Sequence, residues 1–232
     1  MSAGRGYRAT RPVVTQGGLE GVIAPRALPD PITVSVICPT SRRPSRHVPL
    51  YKVFEAQTYP HRDLWILDDG TPRPSSFFTQ LAKKDPRVHY RHATGRQCVG
   101  YKRNALIQQS TGSVIVHFDD DDWYCPTYIE SMVARLVAAD ADLVKLANWN
   151  SRREKDGARW TEHSPGDPWG YGFSYVYRRY VATRIRFPEV YCWEDTRFVA
   201  ALTEAGMKPA LVRDGAGWAE HLIHGGNTSR KE

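Results

Sequence analysis

Cysteine is scarce: the 232 residues hold four, Cys38, Cys98, Cys125 and Cys192, with no C-x-x-C pair among them. That excludes a disulfide scaffold and a zinc knuckle and suits a reducing compartment, read here as the cytoplasm. No run of roughly eighteen apolar residues is present, so the pattern contains no membrane-spanning helix. The opening "MSAGRGYRATRPVVTQGG" has basic residues but no hydrophobic stretch behind them, which argues against a secretory signal. A glycine-rich turn after the first β-type run is also missing. "PTSRRP" stands there instead, so a dinucleotide-binding oxidoreductase lacks its phosphate loop. What the chain has in excess is positive charge, +7 from 32 Lys and Arg against 25 Asp and Glu. Such a balance favours anionic partners, although a solvated basic surface gives the same sum.

Residues 1 to about 30 are rich in Gly, Arg and Pro without periodicity and read as a flexible basic arm. Order is expected from "ITVSVICPT", where Ile32, Val34, Val36 and Cys38 alternate. "DLWILDDG", "RVHYRH" and the nearly continuous "SVIVHFD" read as further strands of a buried parallel sheet. Helical spacing lies between them. Val48, Tyr51, Val53 and Phe54 mark one helix, "YKRNALIQQSTG" a second with Gly112 as its C-cap, and "PTYIESMVARLVAAD" a third. The second half is less regular: a hairpin is expected around Asp156-Gly157, and Gly206 closes a helix in "EDTRFVAALTEAG". Strands alternating with helices predict an α/β domain with a mainly parallel central sheet, whose ligands sit at the carboxyl ends of the strands. "PTSRR", "DDG" and "DDDD" all fall at such ends.

Asp119, Asp120, Asp121 and Asp122 are consecutive, and carboxylates at that density repel one another without a cation among them. An EF-hand is excluded, because Trp123 and Tyr124 occupy positions that need a ligand and a glycine. An exposed acidic turn remains an alternative. Hard oxygen ligands select Mg²⁺, Mn²⁺ or Ca²⁺, and an ion of the Mg²⁺ type shares its shell with substrate phosphates. Arg42, Arg43, Arg96, Lys102 and Arg103 could face such phosphates.

"VSVICPTSRRP", "LWILDDGT", "KRNALIQQSTGSVIVHFDDDDWYCP" and "WEDTRF", in that order, resemble the glycosyltransferase family 2 pattern over about residues 32 to 228. The resemblance implies a single Rossmann-like GT-A domain over 31–232. Its nucleotide-sugar half would cover about 31–125, its acceptor half about 126–220, and a flexible C-terminal lid about 216–232. Pro39, Thr40 and Arg43 would line the nucleotide pocket, Asp69 would face the base, and Asp68 would cap the turn. Lys102 would face the donor phosphates, and Arg103 would sit near the base or diphosphate, with Asn104 ordering its helix. Asp119 and Asp120 would lie near the ribose, Asp121 would hold Mn²⁺ or Mg²⁺, and Asp122 would hold the loop. His224 would complete the metal shell, with His221 more structural. Asp195 would be the general base, supported by Glu194, although a Glu-Asp pair is also an ordinary helix cap. Trp169, Tyr171 and Phe173 would offer stacking faces to an acceptor, or would simply pack beneath their loop.

The implied function is metal-dependent, inverting transfer of a sugar from a nucleotide-sugar, of the UDP type, to an acceptor hydroxyl. That hydroxyl would belong to a glycan, a glycolipid, a small molecule or, less readily, a nucleic acid. A nucleotidyltransferase would share the layout and the metal. A non-catalytic nucleic-acid-binding module would explain the charge but not acidic strand ends, which repel phosphate without a metal.

Overall fold

The computed structural model describes residues 27–163 and 169–225. The expected arm falls largely, and the end of the expected lid wholly, outside them. The strands are β1 Val34–Ser41, β2 Arg62–Asp69, β3 Val88–Ala93, β4 Val114–His117, β5 Trp123–Tyr124 and β6 Leu143–Leu146. They continue with β7 Asn148–Arg153, β8 Arg159–His163, β9 Val176–Arg178, β10 Pro209–Val212 and β11 Ala219–Ile223. The helices are α1 His47–Glu55, α2 Ser76–Lys84, α3 Val99–Gln109, α4 Tyr128–Ala138, α5 Arg179–Arg184 and α6 Glu194–Glu204.

A seven-stranded sheet runs in the order β10-β6-β9-β4-β1-β2-β3. All its pairings are parallel except those of β9, which runs antiparallel to both β4 and β6. The expectation of a mainly parallel sheet therefore holds. The reversal at β9 follows from its approach. β9 follows the β7–β8 hairpin, and among the described residues no crossover α-helix lies between β8 and β9.

Alternation along β1 sends Val34, Val36 and Cys38 to one face, with Leu50, Phe54, Phe78 and Met132 of α1, α2 and α4. Ile37 goes to the other face, with Leu106, Val181 and Phe198 of α3, α5 and α6. Both faces are covered, as a parallel sheet requires. The α1 stripe is His47, Leu50 and Phe54, whereas Val48, expected on it, is 43% exposed. Gly112 is not a helix cap, because α3 ends at Gln109 with Ser110 extended behind it. A Cβ on Gly112 would come within 2.4 Å of the Ser35 amide nitrogen, so close passage over β1 is what requires glycine there. Gly206, at φ +76, does close α6: its N–H reaches the Thr203 carbonyl and the Met207 N–H that of Leu202.

A second sheet, in the order β5-β11-β7-β8, contains the Asp156-Gly157 hairpin and was not foreseen. β11 pairs with β5 on one side and β7 on the other, so the start of the expected C-terminal lid is a strand.

Candidate active site

The carboxyl ends of β1, β2 and β4 meet at one edge. Pro39 is half-buried within β1, and the Thr40 hydroxyl beside it donates to the Asp120 carboxylate. Arg43 then places Nη1 2.7 Å from both Asp120 Oδ1 and Asp121 Oδ2. Between them Arg42 takes a left-handed φ of +56 and donates from Nε to the Gly70 carbonyl, 2.8 Å away, which joins the first loop to the "DDG" turn.

Asp121 Oδ2 also lies 2.7 Å from His224 Nε2. Asp122 turns the other way: its carboxylate accepts the Leu222 N–H at 2.9 Å and sits 2.8 Å from His221 Nδ1. It anchors β11. Asp119 receives no such compensation. Burial, together with the charge of Asp122, pushes its carboxyl up to about 7 against the pull of Arg103. Burial and the Asp121 charge likewise raise Asp120. Oxygen atoms of Asp119, Asp121 and Asp122 come within 4.8 Å of one another. With the His224 nitrogen against Asp121, this donor set fits a hard divalent cation.

Asp69 and Lys102 form one buried pair. The Lys102 ammonium donates to Asp69 Oδ1 at 3.2 Å and to the Thr40 carbonyl at 3.0 Å, while Asp69 Oδ2 accepts the Gln97 N–H at 2.6 Å. Both side chains thus brace the loops against one another. Asp68 accepts from the Tyr90 hydroxyl at 2.9 Å on the opposite face.

Helix α3 also reaches the start of α6. Arg103 Nη1 lies 2.6 Å from Glu194 Oε1, and both are buried. Asn104, rather than ordering its own helix start, clamps the backbone of Phe187, donating to its carbonyl and accepting its N–H, each at 2.9 Å. Asp195 is half-buried in the first turn of α6 and accepts the N–H of Gly172 at 3.0 Å and of Thr196 at 2.7 Å. Gly172 is held from its other side by His117, whose Nδ1 lies 2.8 Å from the Gly172 carbonyl. A Cβ there would meet the Asp195 Cβ at 3.0 Å and the Arg103 guanidinium at 3.3 Å.

The structure therefore gathers Thr40, Arg43, Asp119, Asp120, Asp121 and His224 at one end of the edge. Glu194, Asp195 and Arg103 meet at the other. Of the three ring candidates, Phe173 is buried against Trp149 and His221, and Tyr171 packs on Trp149. Sequence reasoning missed His117 and Gly172, for which no local pattern exists. It also passed over Trp193, which the "WEDTRF" motif contained.

Burial alone would depress the His221 imidazole, but the adjoining Asp122 carboxylate carries it up to about 9. An imidazolium favoured by the fold stabilises fully below its ordinary value, about 6.5, and ceases to do so as the pH rises through about 9. In EDTA, the melting-temperature gap between wild type and His221→Gln should be widest near pH 6 and narrow above about pH 9. A gap unchanged across that range would mean a neutral His221.

Among known proteins, the description "Glycosyl transferase family 2" matches residues 35–197, more than half of the chain. An uncharacterised glycosyltransferase of Rickettsia conorii is 31% identical over 97 residues, covering 42% of this chain and 16% of that relative. TarS of S. aureus, solved with UDP, superposes with a TM-score of 0.67 at 15% identity, covering 83% of this chain and 61% of that one. A mannosyltransferase from Pyrobaculum calidifontis, solved with GDP-Man and Mn²⁺, gives 0.66 at 16% identity, covering 86% and 58%. At these identities the likeness is one of fold, the GT-A fold, and the chain spans under two thirds of each. No helix among the described residues is long and apolar enough to cross a membrane. The extent of the family match decides the assignment: the chain belongs to glycosyl transferase family 2.

Proposed function

We propose that this enzyme moves a sugar from a UDP-sugar to an acceptor hydroxyl in one inverting displacement, with Mn²⁺ or Mg²⁺ held by Asp121 and His224. The observation that carries the reading is the 2.7 Å approach of His224 to Asp121 beside Asp119, whose carboxyl is pushed up by burial and the Asp122 charge. When bound, the ion neutralises charge on the departing diphosphate. Arg43, already on Asp120 and Asp121, would donate to the same phosphates. Asp195 takes the proton of the attacking hydroxyl, and its two backbone N–H contacts fix the carboxylate in place for that transfer. Attack comes from the face opposite the leaving group, which inverts the anomeric carbon. Orienting two substrates in line supplies much of the remaining acceleration. The acceptor is a free hydroxyl of a glycan, glycolipid or small molecule.

Calorimetry with UDP, and with GDP as a comparison, tests the donor side. UDP should bind at least about tenfold more tightly with Mn²⁺ or Mg²⁺ than in EDTA, a linkage of roughly 1.4 kcal/mol. Asp121→Asn should lose that gain, whereas Asp122→Asn should lose less of it. Equal affinity in EDTA sinks the metal-bridged reading, and tighter GDP binding sinks the choice of UDP.

A further inference from the structure

The loop before α6 exposes two large rings: Tyr191 is 53% exposed and Trp193 68%. Trp193 also takes a left-handed backbone, φ +66, which bulky residues rarely adopt. Tyr171 has the same kind of backbone, but its ring packs on Trp149 at 4.8 Å and so compensates. Trp193 has no ring partner among the described residues.

The support beneath these rings is firm. Asn104 holds Phe187 by two hydrogen bonds, and Gly100 passes so close to Pro188 that a Cβ there would overlap its carbonyl oxygen. The Arg96 guanidinium lies 5.6 Å from the centre of the Tyr191 ring. Immediately after Trp193 come Glu194 and Asp195, the acidic pair at the start of α6.

We infer that Trp193, flanked by Tyr191, is a stacking platform for a pyranose ring of the acceptor. The inference rests on the glycosyl-transfer reading, because it takes the acceptor hydroxyl to Asp195. An uncharged sugar ring suits this juxtaposition chemically: its C–H face covers an indole while its hydroxyl edge meets a carboxylate. An anionic acceptor would be repelled by the Asp195 carboxylate, since Glu194 is already paired with Arg103. Two side chains also fall far short of the roughly 800 Å² per partner that a stable protein interface buries.

Saturation-transfer NMR on the full chain without donor tests this, using methyl β-glucoside, β-galactoside and N-acetyl-β-glucosaminide, with adenosine as a control. Ring protons of at least one glycoside should saturate with wild type and with Trp193→Phe. In Trp193→Gly that signal should fall about tenfold, the scale of a lost stacking contact. Glycine relieves the left-handed backbone, so Trp193→Gly should melt at or above the wild-type temperature, which separates lost binding from lost folding. The platform is overturned if the glycosides saturate equally in Trp193→Gly, if only adenosine or nothing saturates with wild type, or if Trp193→Gly melts lower. UDP calorimetry on the same wild-type sample reads the donor site separately. Loss of UDP binding there would overturn the donor reading while leaving the glycoside result standing.

Discussion

Asp195→Asn should retain UDP and metal affinity while transfer to acceptor falls by about a hundredfold or more, the scale of a lost general base. The substitution keeps size and shape and removes the proton acceptor. Both carboxylate oxygens of Asp195 accept backbone N–H groups, from Gly172 and from Thr196, and an asparagine oxygen can keep one of them. The Thr196 N–H belongs to the first turn of α6, so Asp195 also serves that helix start, although the cap position itself is Trp193. Activity decides between the two roles. One N–H bond is lost in either case and lowers the melting temperature modestly; a purely structural Asp195 predicts transfer nearly intact, and a base predicts transfer lost. The assay is transfer rate at saturating donor, paired with calorimetry for UDP. Near-wild-type transfer in Asp195→Asn would return the residue to a structural role and put the base elsewhere.

Glu194→Ala should destabilise the protein by about 3–5 kcal/mol, because it strands the buried Arg103 guanidinium. Arg103 and Glu194 are 4% and 7% exposed and meet at 2.6 Å, and Arg103 Nε has no hydrogen-bond partner among the described residues. Burial raises the Glu194 pKa against the pull of Arg103, so the pair is held together at a desolvation cost. Replacing both partners, as in Arg103→Met with Glu194→Leu, should cost much less than Glu194→Ala alone. Urea unfolding of the three proteins measures this. If Glu194→Ala unfolds at the wild-type midpoint, the pair contributes nothing and Glu194 is free to bind acceptor instead.

The first half of the domain was legible because its strands are local apolar runs, each followed at once by polar residues. "PTSRR", "DDG" and "DDDD" reach one edge through parallel β-α-β geometry alone. The second half depends on pairings that no local window contains. β11 joins β5 and β7 across the domain, and β9 reverses within an otherwise parallel sheet. The aspartate run itself announced charge, but not that Asp122 would turn away to His221 and Leu222 while Asp121 faced His224. Residue type does not encode that division; it is set by the side on which β11 arrives. Aromatic density was also a poor guide. Phe173 in the Gly-rich loop went to the core, and exposure fell to Tyr191 and Trp193, where a left-handed backbone turns the chain.

His224 reaches Asp121 across 103 positions of chain, and it does so only because β11 is paired on both sides. Closing so long a loop costs entropy that contacts local to β11 do not recover. A nucleotide bound there as proposed would be held by segments from both ends of the described residues together. Its binding energy then adds to the unfolding free energy of the entire chain rather than to one β-α unit. Ligand-induced protection from hydrogen exchange would accordingly spread from the aspartate loop into β1, β4, β7 and β11 as a single cooperative body.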